Sequence, residues 1–120
     1  MNNIKKGKKG EDIACGYLKK NGYRVLNRNY KTNVGEIDIV ATDEHTLIFI
    51  EVKSRTSENF GFPSEAVGRW KRDKINQVAS QYIKKFMLYG VDVRFDVIEV
   101  YLAENRVNHI ENAFDSYLRY

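Results

Sequence analysis

The sequence predicts a single α/β domain over residues 1–120, in which helices flank a central mixed sheet of about four to five strands. Three observations predict this fold class. Segments of helical and strand periodicity follow one another in the order helix, three strands, helix, strand. One of these strands is apolar on both sides, which is typical of a central strand. The length of 120 residues suits one hydrophobic core.

The first helix is predicted over residues 10–21 and the first strand over Tyr23–Tyr30. Asn21 and Gly22 are typical of a helix C-terminus, and residues 32–33 are typical of a turn after the strand. The helix carries an apolar stripe at helical spacing, made of Ile13, Ala14, Tyr17 and Leu18.

The second and third strands are predicted over residues 36–42 and 46–54, joined by a turn at residues 43–45. In the third strand, Leu47 and Phe49 point to one side and Ile48 and Ile50 to the other. Apolar residues on both sides predict that this strand lies in the middle of the sheet.

The second helix is predicted over residues 69–89, with Gly90 as its end. Its apolar stripe consists of Ile75, Val78, Ala79, Tyr82, Ile83, Phe86 and Met87. A strand is predicted over residues 91–100 because apolar and polar residues alternate there. A turn at residues 105–106 follows, and residues 107–114 are either a last strand or an irregular segment.

Composition indicates a cytoplasmic protein. The single cysteine, Cys15, excludes an internal disulfide and favours a reducing compartment. Neither a signal peptide nor a membrane-spanning apolar run is expected. The net charge is +4, and basic residues cluster near the N-terminus and in the second helix. One-sided basic charge suits a polyanion such as nucleic acid, although a solvated surface explains it equally well.

Charged residues occupy unexpected positions at the ends of the best apolar strands: Glu36, Asp38, Glu51 and Lys53. If the second and third strands form a hairpin, its midpoint places Asp38 opposite Glu51. Opposed side chains have Cβ atoms roughly 4.5–5.5 Å apart, where like charges repel. A shared proton, a nearby cation or a metal ion would offset the repulsion, and carboxylates are ligands that divalent cations prefer.

Glu11 and Lys53 add to this pair. Glu11 begins a core-facing stripe of the first helix, which suggests a buried carboxylate with a partner; stabilisation of the positive helix N-terminus is the alternative. Lys53 points to the same side as Glu51, where it can orient a metal-held water. The alternative is a surface Glu51–Lys53 ion pair worth under about 1 kcal/mol.

These residues carry a resemblance to a known superfamily. An acid on the first helix, Asp38 on one strand and the "EVK" of Glu51, Val52 and Lys53 on the next resemble the PD-(D/E)xK nucleases. More closely, "GEDIACGYLKKNGYRVLNRNYKTNVGEIDIVATDEHTLIFIEVKSR", "FGFPSEAV" and "RFDVIEV" are similar to the YraN family of bacterial endonuclease-like proteins. The similarity runs from about Gly7 to Val100.

The resemblance implies a restriction-endonuclease-like core and a set of roles. Asp38 and Glu51 would bind Mg²⁺ or Mn²⁺, with the backbone carbonyl of Val52 as a further ligand. Lys53 would be the catalytic lysine, and Glu11 would bind the metal directly or through water. The implied protein is related to Holliday-junction resolvases, so branched or junction DNA is an expected substrate.

Two further residues have less settled roles. Glu36 matches the family's "GEID", where it would orient the site or bind a second metal. Gln77 is a possible supporting residue, because a RecB-like branch of the superfamily carries Q-x-x-x-Y on this helix. Gln77 and Tyr82 stand one residue too far apart for that spacing, which weakens the assignment.

Phosphate contacts are predicted for a basic set that follows the candidate site in sequence: Arg55, Arg69, Lys71, Arg72 and Lys74. Lys74, Gln77, Gln81 and Lys84 share a helical face, for which solvation is the favoured interpretation. Trp70 and Phe60 would stack on an unpaired base or pack against the protein.

The remaining candidates have structural interpretations. His45 and His109 stand alone in the sequence, with no zinc-ligand spacing around them. Cys15 belongs to an apolar stripe and is expected in the core. Asp96 is expected to bond Arg94 or a neighbouring strand, or to support the site.

The predicted function is a metal-dependent nuclease that hydrolyses phosphodiester bonds of nucleic acid, with DNA as the expected substrate. Two alternatives remain open: a non-catalytic nucleic-acid-binding module on a nuclease scaffold, and a protein-interaction subunit whose acids form a structural ion network. A homodimer is plausible because cutting two strands needs two sites.

Overall fold

The described part of the chain, residues 3–55 and 68–118 of this computed structural model, folds into a five-stranded sheet with one helix on each face. Its elements in chain order are α1 (Asn3–Lys20), β1 (Arg24–Lys31), β2 (Glu36–Thr42), β3 (Thr46–Arg55), α2 (Arg69–Lys85), β4 (Asp92–Tyr101) and β5 (Arg106–Phe114). The predicted α/β class with a mixed sheet is confirmed.

The strands lie in the order β1-β2-β3-β4-β5. All neighbours are antiparallel except β3 and β4, which are parallel because α2 connects them as a crossover. The segment after the turn at residues 105–106, whose structure the sequence left open, is the edge strand β5.

The central position predicted for β3 is confirmed, since buried side chains cover both of its faces. Phe49 packs with residues of α2 such as Tyr82 on one face. Ile48 and Ile50 pack with Leu18 of α1 on the other. Packing against both helices therefore holds β3 in place as far as Ile50, directly before the charged residues begin.

The end of α1 agrees with the prediction, although the helix starts at Asn3 instead of residue 10. Gly22 has φ 88°, and the Tyr23 N–H donates to the Leu18 carbonyl at 2.9 Å. This left-handed residue closes the helix. Within the described ranges, neither helix has the length and apolar composition needed to cross a membrane.

The prediction that α2 continues to residue 89 is wrong. The helix ends at Lys85, because Met87 turns into the left-handed region with φ 55°. The Leu88 N–H then donates to the Ile83 carbonyl at 2.9 Å, which closes the helix as a glycine would. Phe86 and Met87, predicted in the buried stripe, are therefore 44% and 77% exposed.

Candidate metal centre at the ends of β2 and β3

Asp38 and Glu51 face each other across β2 and β3. These strands pair Ile39 with Ile50, and one residue further in the same register Asp38 stands opposite Glu51. The register is therefore consistent with the expected opposition, and the two carboxylates are close enough for the charge of Glu51 to act on Asp38. The Val52 N–H donates to Asp38 Oδ2 at 2.8 Å, which fixes the carboxyl group against the end of β3.

Electrostatics at Asp38 are those of a crowded carboxylate pair. The pKa of Asp38 is raised to about 7, chiefly by burial and next by the negative charge of Glu51, with a smaller contribution from Glu11. The Val52 N–H and the ammonium of Lys71 act in the opposite direction. The pair therefore holds a proton near neutral pH unless a cation joins it.

Lys71 supplies part of that positive charge. Its Nζ lies 2.6 Å from Glu51 Oε1, and the Glu51 side chain is only 10% exposed. Burial opposes the ammonium form, but the hydrogen bond and charge of Glu51 prevail and raise the pKa of Lys71. Lys71, predicted to contact phosphate, is in the structure the ion-pair partner of Glu51. Sequence spacing gave no signal for this contact, because the two residues are 20 positions apart.

Glu11 is buried, as its place in the α1 stripe predicted, with 8% of its surface exposed. Its Oε1 accepts hydrogen bonds from Arg28 Nε at 2.8 Å and from Asn29 Nδ2 at 2.9 Å. Asn29 has φ 52°, so the side chains of β1 do not alternate between the two faces at this position. The consecutive residues Arg28 and Asn29 can therefore both donate to the Glu11 carboxylate. Arg28 is the partner that sequence analysis did not identify.

A close approach of α1 to β3 sets the depth of Glu11. A Cβ built on Gly10 would lie 1.9 Å from Ser54 Oγ and 3.2 Å from Ser54 Cβ. Only glycine fits this contact without movement. Gly10 therefore brings the first helix against the strand that carries Glu51 and Lys53.

Lys53 lies next to a buried acid that sequence analysis missed. Its register partner on the parallel strand β4 is Glu99, which is 1% exposed. Glu99 accepts a hydrogen bond from Asn108 at 2.8 Å and pairs with Arg55 at 3.4 Å. Arg55, predicted to contact phosphate, is thus held by Glu99. The sequence did carry a signal that Glu99 is buried, because this acid stands among the apolar residues of "VIEV".

The donor set fits a hard dication held by two carboxylates. Asp38, Glu51 and the backbone carbonyl of Val52 are oxygen donors of the kind that Mg²⁺ takes, together with water and phosphate. No three acidic, histidine or cysteine side chains within residues 3–55 and 68–118 form a group that could hold a metal. Glu11, bound to Arg28, is not brought into one ligand set with Asp38 and Glu51.

The two candidates for supporting roles lie at the surface. Glu36 is exposed, and its carboxylate lies 4.0 Å from the ammonium of Lys31. Gln77 is exposed on the outer side of α2, where it lines a groove. The structure brings neither side chain into contact with Asp38 or Glu51.

The predicted phosphate-binding residues of α2 divide between two sides of the helix. Arg69 and Arg72 line the same outer groove as Gln77, whereas Lys71 points to the site. Lys74 lies with Nζ 5.5 Å from the ring centroid of Trp70. Phe60, the other proposed stacking residue, lies outside the described residues.

Asp96 forms a second buried ionic network. It pairs with Arg94 at 2.9 Å, as expected, and with His109 Nε2 at 2.7 Å. His109 is therefore not isolated in the fold, and its Nδ1 lies 2.9 Å from the Tyr17 hydroxyl. Cys15 lies in the core, as predicted, and burial raises the pKa of its thiol.

The chain matches one protein family over most of its length. The uncharacterised protein family UPF0102 matches residues 10–100. A UPF0102 protein of Clostridioides difficile (strain 630) is 54% identical over 114 residues, which cover 95% of this chain and 100% of the relative. A UPF0102 protein of Caldanaerobacter subterraneus subsp. tengcongensis is 48% identical, over 90% of this chain and 93% of the relative.

Among solved structures, the chain is similar to SfsA of Pyrococcus furiosus in complex with Ca²⁺. The TM-score is 0.38 at 14% sequence identity, and the match covers 92% of this chain and 64% of that one.

Proposed function

We propose that this chain, which belongs to the uncharacterised protein family UPF0102, is a metal-dependent nuclease that hydrolyses phosphodiester bonds of nucleic acid, with DNA as the substrate. Membership confirms the resemblance to the YraN family that the sequence motifs suggested. The activity itself is proposed from the chemistry of the site.

The observation that carries the proposal is the opposition of Asp38 and Glu51 in a mostly buried place. Their repulsion and the desolvation of Asp38 raise the pKa of Asp38 to about 7. Holding two partly buried carboxylates side by side lowers the stability of the fold. A divalent cation would repay this by neutralising both charges at once, and a structural ion pair with Lys71 neutralises only one.

The residues then have distinct roles in the proposed reaction. Asp38, Glu51 and the Val52 carbonyl would hold Mg²⁺ or Mn²⁺, which supplies Lewis-acid polarisation of the phosphate and stabilises the leaving oxygen. Lys53 would orient the attacking water and balance the charge that develops on phosphate. Lys71 would leave Glu51 when the cation binds. Glu11 would tune the charge around Asp38 from its place beside Arg28.

The test is cleavage of a panel of linear, single-stranded, flapped and four-way DNA in the presence of Mg²⁺ or Mn²⁺. Asp38→Asn and Glu51→Gln should each lower the rate by about 100-fold or more, as expected when electrostatic stabilisation of the transition state is lost. Glu44→Gln, an exposed acid in the turn at the other end of the hairpin, is the matched control. Activity that survives both site substitutions in a clean preparation would remove the proposal.

One observation favours a second candidate, a nucleic-acid-binding module without catalysis. Glu11 and Glu51 already have cationic partners in the protein, namely Arg28 and Lys71. Such pairs can be structural in their own right. Calorimetry separates the two functions: DNA binding without Mn²⁺ binding at millimolar concentration would favour the module, whereas Mn²⁺ binding that Asp38→Asn abolishes would favour the nuclease.

A further inference from the structure

A groove runs along the outer side of α2, on the side of the helix turned away from Glu51. We call it the α2 groove; its volume is about 880 Å³. The C-terminal segment at residues 115–117 forms its second wall. The residues that matter for its chemistry are Arg69, Arg72, Gln77, Gln81 and Lys84, which recur along one face of the helix.

The far wall of the α2 groove is fixed by Asn76, a buried residue of α2 that is 2% exposed. Its Oδ1 accepts the Tyr117 N–H at 2.7 Å, and its Nδ2 donates to the Asp115 carbonyl at 3.4 Å. The Tyr117 hydroxyl donates to Asp73. The groove is therefore built by specific contacts between α2 and the C-terminal segment.

The charge of the α2 groove favours an anionic ligand. Arg69, Arg72 and Lys84 contribute three positive charges, against Asp73 and Asp115. Asp73 is occupied by the Tyr117 hydroxyl. Arg72 Nε is buried and, within residues 3–55 and 68–118, donates to no partner. A buried donor without an acceptor is unusual in folded proteins. Because Arg72 lines the groove, a turn of its guanidinium group outward would bring this donor to a phosphate oxygen.

An aromatic platform stands beside this charge. Trp70 follows Arg69 at the start of α2 and is 74% exposed, so packing against the described residues does not explain it. The Lys74 ammonium lies 5.5 Å from its ring centroid and keeps the ring flanked by positive charge. Proteins that bind single-stranded nucleic acid combine two features: basic side chains along the phosphate backbone and an aromatic ring on which bases stack.

We propose that the α2 groove binds the phosphodiester backbone of a single-stranded stretch of nucleic acid, with an unpaired base stacked on Trp70. From Arg69 to Lys84 the helix spans about 22 Å, which accommodates several nucleotides of an extended strand. The inference rests on the proposed function for its ligand class and extends it. Arg69 at the end of the groove and Lys71 belong to the same turn of α2, and Lys71 contacts Glu51 on the other side of the helix. A strand that leaves the groove around the start of α2 would reach the carboxylates, and the preferred substrate would carry a single-stranded tail.

Two measurements on the full chain, with EDTA present to prevent cleavage, test the proposal. A dT12 oligonucleotide should quench tryptophan fluorescence, which reports only Trp70 because the chain has one tryptophan. Anisotropy of labelled dT12 across a range of salt should give a steeper dependence for the wild type than for Arg72→Gln/Lys84→Gln. Losing two phosphate contacts lowers the slope of log K against log salt by about 1.4.

Matched variants define the outcomes. Lys19→Gln/Lys20→Gln removes two exposed charges from the last turn of α1 and should keep the wild-type slope. Trp70→Ala should weaken dT12 binding by about 5-fold or more. Circular dichroism checks that each variant is folded. Absence of dT12 binding, an unquenched Trp70, or equal slopes for the two double variants would overturn the proposal.

The same experiment distinguishes failure of the groove from failure of the nuclease. Glu44→Gln, which lies outside both the groove and the carboxylate site, should bind dT12 as the wild type does. Groove binding without cleavage of any DNA in the panel would remove only the nuclease. Cleavage of tailed DNA that Trp70→Ala and Arg72→Gln/Lys84→Gln leave unchanged would remove only the groove.

Discussion

At the scale of single residues, the protonation state of Asp38 depends on its burial and on the charged and polar groups around it. Burial and the charge of Glu51 favour its protonated form, while the Val52 N–H favours the carboxylate. In an unfolded chain the same group has an ordinary pKa near 3.9. The folded protein therefore binds this proton more tightly than the unfolded one, so stability falls as pH rises from about 4 to about 7 and levels off above that range.

Asp38→Asn should make this effect measurable. As pH rises from about 4 to 7, the wild type loses stability that the asparagine variant keeps, because the amide does not ionise. The difference in free energy of unfolding between variant and wild type should grow by on the order of 1–3 kcal/mol between pH 5 and pH 8. Urea unfolding at several pH values measures it. Glu44→Gln should give a flat difference, and a flat difference for Asp38→Asn would contradict the assigned environment.

Lys71 competes with any metal ion for Glu51. Lys71→Met removes the ammonium that lies 2.6 Å from the Glu51 carboxylate, so a divalent cation no longer displaces an ion pair. Mn²⁺ affinity should rise by about two- to fivefold, which corresponds to the free energy of a partly exposed ion pair that the metal no longer has to break. Calorimetric titration at pH 8 measures the change. Weaker Mn²⁺ binding in Lys71→Met would indicate that Lys71 supports the metal site and does not compete with it.

At the scale of elements, the contact between α1 and β3 holds the first helix at the site. Gly10→Ala places a methyl group 1.9 Å from Ser54 Oγ and 3.2 Å from Ser54 Cβ. The hydroxyl must rotate and the helix must move by a few tenths of an ångström, at a cost of about 1–3 kcal/mol. Gly16 lies on the same helix with open space around it, and Gly16→Ala should stabilise by about 0.5–1 kcal/mol. Denaturant unfolding compares them, and equal effects would contradict the tight approach.

The Asp96 network joins β4 to β5. Asp96 accepts the Asn112 N–H at 2.9 Å and pairs with Arg94 and His109. Asp96→Ala removes the buried acceptor of the Asn112 N–H and of His109, and it leaves Arg94 paired with Glu111 at 3.1 Å. The variant should destabilise by about 3–5 kcal/mol, as measured by chemical denaturation. Glu104→Ala, which breaks an exposed pair with Arg106, should change stability by under about 1 kcal/mol. Similar losses of stability in both variants would show that the buried network contributes no more to the free energy of unfolding than an exposed ion pair.

At the scale of the whole molecule, the structural features that depend on residues close in sequence were predictable. The hairpin fixes the opposition of Asp38 and Glu51, because its turn lies midway between them and side chains alternate along each strand. The central place of β3 followed from its two apolar faces. The α1 stripe likewise indicated that Glu11 is buried.

Contacts over long sequence separation were not predictable in the same way. The approach of Lys71 to Glu51 depends on where α2 docks on the sheet, and Arg28 reaches Glu11 from a strand with an irregular backbone. His109 seemed alone in the sequence because strand pairing, which no local pattern specifies, brings it to Asp96. The end of α2 was missed because Met87 takes a conformation usually reserved for glycine.

The measurement that tests the central claim most directly is X-ray diffraction from crystals soaked with Mn²⁺, at a wavelength where manganese scatters anomalously. The soak should be at pH 8, above the pKa of about 7 for Asp38. An anomalous peak between Asp38 and Glu51, at oxygen-ligand distances from both carboxylates and with Lys71 moved from Glu51, is the predicted result. A clear map with no peak there, and Lys71 still bound to Glu51, would contradict the metal centre.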